Sequence, residues 1–240
     1  MKINTLRPTV NLETAELRRL LKRAYATLLP RTNRAVGSFT CGVYAFFDYD
    51  GEPIYVGQTF EGLSSRIGRH LTNQRTDAVA MSVLDPFEVR YIEMFPLVEF
   101  DGVKSRHPDF KRAKAELNRV ELEVFTRCIA QSEFRNVLNE KDPALVPLTG
   151  QIPDSVRVEI ISDEVRKLRD HPDIRIARRA QTIARLTQVI AERQVQVGLR
   201  QTLVVQAQRL EVLARRQFGV WGGILAVPRK STDDTEETDE

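Results

Sequence analysis

Two short runs of β-branched and aromatic residues, joined by an Asp-Gly turn, constrain this fold more than any other feature of the sequence. The runs are Cys41–Asp48 and Pro53–Gln58, and Tyr49-Asp50-Gly51-Glu52 separates them. Glycine tolerates the positive φ that a tight turn requires, so Asp-Gly between two such runs is a strong local signal. The sequence therefore predicts an antiparallel hairpin.

The residues around the hairpin alternate between helical and extended patterns. Apolar side chains four residues apart predict a helix over 63–71, and Phe87–Phe95 alternates apolar with polar residues, which predicts a third strand ended by Pro96. Further helical patterns cover 11–29 and about 110–131. The predicted fold class is α/β, more narrowly α+β, with a small antiparallel three-stranded sheet flanked by helices.

The sequence predicts a helical extension in the second half of the chain. Prolines and a glycine crowd into residues 143–153, which indicates a boundary or a long crossing loop. Residues 174–217 lack proline and contain a single glycine, so they predict one long helix or two joined helices.

One row of β-branched side chains recurs every seven residues along this extension, at Ile176, Ile183, Ile190, Val197 and Val204. A coiled coil needs a second apolar row three or four places on, and arginines occupy most of those positions. Two interpretations stay open: the row packs against the N-terminal part of the chain, or it forms a homodimer contact.

Charge separates the end of the chain from the rest. The formal net charge is +3, but the last eight residues hold six acids and no base, so the body is more basic than the total. A basic body fits a polyanionic partner such as nucleic acid. The predicted division is an N-terminal helix (1–36), a central domain (37–148), a helical C-terminal region (149–230) and a disordered acidic tail (231–240).

Composition excludes several classes of protein. The 240 residues are 42% hydrophobic and 29% charged, as in an ordinary globular chain. No stretch approaches the roughly 18 consecutive apolar residues of a membrane span, and Met1-Lys2-Ile3-Asn4 does not open a signal peptide. We therefore expect no membrane partner and a cytoplasmic location. Cys41 and Cys128 lack the paired spacing of a zinc site.

Two tripeptides carry the chemical signal. Gly42-Val43-Tyr44 lies in the first predicted strand and Tyr55-Val56-Gly57 in the second, and Arg66 and His70 follow one turn apart on a helix. This ordered set, completed by an acid-bearing helix and an asparagine, resembles the GIY-YIG nuclease family over about residues 39–140. The presence of a histidine at this position resembles the restriction-endonuclease branch of that family.

Cleavage of a phosphodiester needs a deprotonated water, neutralisation of charge on the phosphoryl oxygens and help for the leaving oxygen. A divalent ion held by one carboxylate supplies part of this, and Mg²⁺ (or Mn²⁺) suits the task because it keeps several waters. The resemblance implies that Tyr44 is the base, that His70 relays its proton, and that Tyr55 positions the water or the metal shell. Arg66 would clamp the scissile phosphate with its planar fork.

The metal ligand and the asparagine are less sharply defined by the pattern. The resemblance best fits Glu121 as the metal ligand, although a shift of register to Glu123 stays open and Glu116 lies on the same helix. It likewise implies that Asn136 orients a loop or the tyrosine hydroxyls, with Asn139 as its rival.

The resemblance implies an Mg²⁺-dependent DNA endonuclease, with type II restriction or phage defence as its first biological role. Repair or mobile-element cleavage is the second role. The alternative from another class is a non-catalytic nucleic-acid-binding or assembly module that keeps the fold.

Overall fold

The computed structural model describes residues 12–72, 84–139, 141–193, 195 and 197–223. A two-stranded ribbon pairs β1 (Leu28–Leu29) with β2 (Arg34–Ala35). The strands of the central antiparallel sheet are β3 (Gly42–Phe47), β4 (Pro53–Thr59), β5 (Tyr91–Pro96) and β6 (Val156–Glu159), and they lie in the order β4-β3-β5-β6.

The predicted hairpin is confirmed as β3 and β4. Gly51 takes a φ of 79°, as the turn requires. The register pairs Tyr44 with Gly57 and Phe46 with Tyr55. Directly opposed residues, and residues two apart on a strand, share a face of the sheet. Tyr44 and Tyr55 therefore lie on the same face.

The predicted three-stranded sheet is wrong by one strand. β6 comes from the segment assigned to the helical region and pairs with β5, from Met94 opposite Val156 to Tyr91 opposite Glu159. Its four residues, VRVE, are too few to give a clear alternating signal. The third predicted strand also starts later than expected, because the Asp85 side chain accepts a hydrogen bond from Phe87 N and a 3-10 turn begins at Pro86.

Six helices surround the sheet within the described residues: α1 (Leu12–Ala26), α2 (Leu63–Leu71), α3 (Phe110–Gln131), α4 (Asp163–Arg169), α5 (Pro172–Glu192) and α6 (Val197–Val220). The helices predicted at 63–71 and 110–131 have the observed bounds. The long C-terminal pattern is two joined helices, α5 and α6, which is one of the two forms that the sequence allowed.

Two apolar clusters lie on opposite faces of the sheet. The first joins Tyr44, Phe46 and Ile54 to apolar residues of α1, α2, α5 and α6. The second joins Val43, Ala45 and Val56 to α3. The hairpin formed by α5 and α6 therefore packs on the tyrosine face of the sheet.

The face by which this helical hairpin docks is largely polar. Val197 and Val204, from the predicted apolar row, are 78% and 56% exposed. The prediction that the whole row packs against the N-terminal part of the chain is therefore wrong at these two positions. Arg175, Arg179 and Arg209 are buried instead.

The buried arginines meet carboxylates at the end of β3. Asp48 accepts a hydrogen bond of 2.6 Å from Arg209 Nη2. Arg179 lies 3.8 Å from the same carboxylate and donates to Glu88 at 3.1 Å. Burying these cations is tolerable only because carboxylates compensate them. The network thus fixes the helical hairpin on the sheet.

None of the described helices is long and apolar enough to cross a membrane. The predicted acidic tail, 231–240, lies outside the described residues. The division of the chain at 36 and 148 and the homodimer contact stay predictions.

Asp48 lies within 3.9 Å of three buried arginines, Arg175, Arg179 and Arg209, and replacing it by Ala removes the carboxylate that they share. We expect this variant to lose about 3 to 5 kcal/mol of unfolding free energy. Asp163→Ala, which removes the exposed partner of Arg166, serves as the control and should cost less than about 1 kcal/mol. Urea denaturation measures both, and equal losses would contradict the anchoring role of Asp48.

Candidate active site

Tyr44, Tyr55 and His70 form a compact cluster on the sheet face that carries α2. The Tyr44 hydroxyl lies 3.5 Å from His70 Nε2. The centroids of the Tyr55 and His70 rings are 5.0 Å apart, and those of the two tyrosines 6.2 Å. Tyr44 and His70 are buried, whereas Tyr55 is half-buried. The cluster therefore has one side open to solvent.

The position of α2 follows from the chain just before it. Gly62 N donates to Thr40 O and Leu63 N donates to Phe39 O, which ties the start of the helix to the start of β3. Leu63 and Ile67 are fully buried and set the rotation of the helix. His70 therefore points into the cluster.

Arg66, one turn before His70, is half-buried beside the tyrosines. Desolvation opposes its charge, but the Coulombic attraction of Tyr44 and a hydrogen bond with it, with smaller contributions from Tyr55 and Glu61, raise the pKa of Arg66 above its ordinary value. The guanidinium therefore stays positive next to both phenol rings, where an anionic group could pair with it.

The packing around Gly57 accounts for the glycine that ends the second tripeptide, Tyr55-Val56-Gly57. A Cβ added at this position would lie 2.7 Å from the Tyr44 hydroxyl oxygen and 2.9 Å from Tyr55 Cε1. Only glycine leaves room for the Tyr44 hydroxyl at this point of β4.

Glu121 reaches β4 from the opposite face of the sheet. Its Oε2 accepts a hydrogen bond of 2.7 Å from Gln58 Nε2. Gln58 is opposed to Val43, so its side chain lies on the α3 face, whereas the neighbouring Gly57 lies under Tyr44. The tyrosine cluster and Glu121 therefore contact adjacent residues of one edge strand from opposite faces.

The other two acids of α3 have structural contacts. Glu123 Oε1 accepts from Thr149 N at 2.6 Å and from Gly150 N at 2.7 Å, so it anchors the loop after α3. Glu116 pairs with Arg119, and the hydrogen bond to that side chain lowers the pKa of Glu116. Of the three candidate acids, Glu121 is the one bound to β4.

Burial raises the pKa of Glu121 to about 7, and this effect outweighs the hydrogen bond from Gln58 and the charge of Lys114. No group of three or more His, Cys, Asp or Glu side chains that could hold a metal ion occurs among the described residues. The residues present fit the one-carboxylate binding that Mg²⁺ tolerates, because a cation would offset the cost of ionising this buried acid.

The two candidate asparagines have different contacts. Asn136 Oδ1 accepts from the next backbone N–H, at Val137, which orders its own loop. Asn139 bonds the backbone of Val56 twice, accepting from its N at 3.1 Å and donating to its O at 2.8 Å. Asn139, the rival of Asn136, is thus the one attached to the strand that carries Tyr55.

The sequence did not single out Gln58 or Lys114. Gln58 Nε2 donates to Glu121 and to Asn118, and its Oε1 accepts from Lys114 Nζ at 3.3 Å. The only sequence signal was that Gln58 directly follows the second tripeptide.

A family model described as the GIY-YIG catalytic domain matches residues 40–100. This match confirms the resemblance to the GIY-YIG family over a segment that contains both tripeptides, Arg66 and His70. It ends before α3, so Glu121 and both asparagines lie outside it. Comparison with curated proteins gives no match, and comparison with solved structures gives none either.

Removing the Asn139 amide would leave the Val56 backbone groups without their partner. Asn139→Ala should lower the unfolding free energy by about 1 to 3 kcal/mol. Asn136→Ala, the control, removes a bond within one loop and should cost less. Thermal or urea unfolding separates the two, and an equal or larger loss for Asn136→Ala would contradict this assignment.

The raised pKa of Glu121 predicts a pH-dependent effect on stability. A carboxyl with a folded-state pKa above its ordinary 4.5 favours folding fully below that value, and this contribution is lost as pH rises through about 7. Glu121→Gln should therefore gain stability relative to the native chain between about pH 5 and pH 8, by at most on the order of 3 kcal/mol.

Glu116→Gln is the matched control on the same helix. Because the pKa of Glu116 is lowered, its difference from the native chain should stay flat over the same pH range. Unfolding curves at both pH values test this, and a flat difference for Glu121→Gln would refute the raised pKa.

Proposed function

We propose that this protein hydrolyses phosphodiester bonds of DNA with the help of Mg²⁺ or Mn²⁺. The supporting observation is the approach of the Tyr44 hydroxyl to His70 Nε2, at 3.5 Å, beside the charged Arg66 and within the GIY-YIG match. A phenol, an imidazole and a guanidinium in contact offer a proton acceptor, a relay and an anion clamp.

Proton movement would begin at the Tyr44 hydroxyl. When its oxygen gives its proton to His70 Nε2, it can accept one from a water aimed at the phosphorus. Tyr55, half-buried at the open side of the cluster, would hold that water. Arg66 would bind two phosphoryl oxygens through its planar fork and compensate the charge that grows on them.

Glu121 is the proposed ligand of the divalent ion. When bound, the ion supplies charge stabilisation and a lowered pKa for the attacking water. Gln58 would orient the Glu121 carboxylate through its 2.7 Å hydrogen bond. Asn139 is proposed in place of Asn136 as the asparagine that orders the strand carrying Tyr55.

The proposed biological role is DNA restriction or another phage defence in the cytoplasm. The histidine on α2 and the helices added to the catalytic segment support it. Repair or mobile-element cleavage uses the same chemistry and would differ only in which DNA is chosen.

Nicking of supercoiled plasmid DNA, with Mg²⁺ and with EDTA, tests the proposal. We expect nicking with Mg²⁺ alone, and a loss of about 10²- to 10⁴-fold in Tyr44→Phe. Tyr49→Phe is the matched control, because the Tyr49 hydroxyl donates to Phe87 O, away from the cluster, and it should nick at the native rate.

A native chain that binds DNA without nicking it under any divalent ion would refute the nuclease and favour the non-catalytic module. Equal nicking by Tyr44→Phe and the native chain would refute the role of Tyr44. Mg²⁺ should also raise the melting temperature of the native chain but not that of Glu121→Gln, which reports ion binding without relying on activity.

A further inference from the structure

The helical hairpin formed by α5 and α6 runs from the Asp48 network toward the tyrosine cluster. Arg209 on α6 binds Asp48 at the end of β3. Seven residues earlier, Thr202 Oγ1 donates to Asn139 O at 3.3 Å, and Asn139 bonds Val56, which lies opposite Ala45.

Helix α6 and strand β3 advance by equal distances between these two contacts. Seven residues of helix advance by about 10 Å, and the three strand residues from Asp48 to Ala45 cover about the same distance. The first turn of α6, at Val197–Arg200, therefore lies at the level of Tyr44 and Gly57. The end of α5 must lie near it, because only the short connection to Val197 joins the two helices. The connected end of the hairpin thus stands next to the candidate site.

Three exposed arginines lie on or near this end: Arg185 in the last eight residues of α5, Arg193 at its C-cap and Arg200 in the first turn of α6. We call them the tip arginines. Among the described residues, no carboxylate forms an ion pair with any of the three. The nearby acid in sequence, Glu192, accepts a hydrogen bond from Gln188. The tip is therefore a surface with an excess of positive charge.

Arginines elsewhere on the helices α4 to α6 have partners. Arg215 pairs with Glu211, Arg216 with Glu133 and Arg166 with Asp163. Among the described residues of α4 to α6 and their connection, these solvent-facing arginines away from the site are thus paired with carboxylates, and the three tip arginines are not. Exposed cations without carboxylates are the groups that bind phosphates and release counterions from DNA.

We propose that the tip arginines bind backbone phosphates of duplex DNA that flank the bond cut at Tyr44. The inference rests on the proposed function and adds the surface that holds the substrate in register with the site. Guanidinium groups bind phosphate through paired N–H donors, and such contacts position a duplex without reading its bases. The tip arginines are positioning residues.

The test compares two triple variants of the full chain. One is Arg185→Gln, Arg193→Gln and Arg200→Gln, and the other is the control Arg166→Gln, Arg215→Gln and Arg216→Gln, which removes the same charge from paired positions. Binding of a fluorescently labelled DNA duplex is measured in EDTA over a range of salt concentrations. Plasmid nicking with Mg²⁺ then gives KM and kcat.

We expect the tip variant to lower the slope of log affinity against log salt by about 0.9 for each lost contact, so by about 2 to 3 in total. Its KM for nicking should rise on the order of tenfold while kcat stays near the native value. The control variant should keep the native salt slope and KM.

The outcomes separate this inference from the proposed function. A native chain that neither binds nor nicks DNA defeats both. If the native chain nicks DNA and the tip variant has the same salt slope and KM as the control, only the proposed role of the tip arginines is refuted. The tip is also overturned if replacing the exposed Lys104, Arg106 and Lys111 by Gln lowers the slope while the tip variant does not, because the duplex would then lie on the α3 side.

Discussion

The register between β3 and β4 is the constraint on which the candidate site depends. It sets Tyr44 opposite Gly57 and Phe46 opposite Tyr55, so both tyrosine rings lie on one face and the missing side chain of Gly57 accommodates a hydroxyl. A slip of one residue in β4 would turn Tyr55 to the α3 face and bring a side chain under Tyr44. The turn at Gly51 and the burial of both faces of β3 hold this register.

The position of β4 at the edge of the sheet gives the site its second property. No strand pairs with the outer side of β4 in the described sheet. Successive side chains of β4 point to opposite faces, so Glu121 contacts Gln58 from one face while the tyrosines and α2 occupy the other. Asn139 bonds the outer backbone groups of Val56, so the edge is covered there without a further strand. The proposed base and the proposed metal ligand thus contact neighbouring residues of β4 from opposite faces of the sheet.

Buried ion pairs join the C-terminal helical extension to the central sheet. Arg209 is 1% exposed and bound to Asp48, the residue that directly follows β3 at the start of the turn. An anchor of this kind is directional, since guanidinium groups bind carboxylates only in a narrow range of geometries. It can therefore orient the hairpin of α5 and α6 and bring the tip arginines beside the site, which a purely apolar contact would do less specifically.

The local elements were readable from sequence because their signals are local: an Asp-Gly turn, apolar repeats in α2 and α3, and two tripeptides. Those signals determined the hairpin, the bounds of both helices, and Tyr44, Tyr55, Arg66 and His70 as candidates. Only the tertiary structure decided the rest. β6 was too short to show a pattern and is a strand because it pairs with β5. The choice between Glu121 and Glu123 depends on which carboxylate meets Gln58 and which meets the Thr149 backbone, over separations of 63 and 26 residues. The docking face of α5 and α6 escaped prediction since arginine is ordinarily a surface residue, and only distant carboxylates make its burial possible.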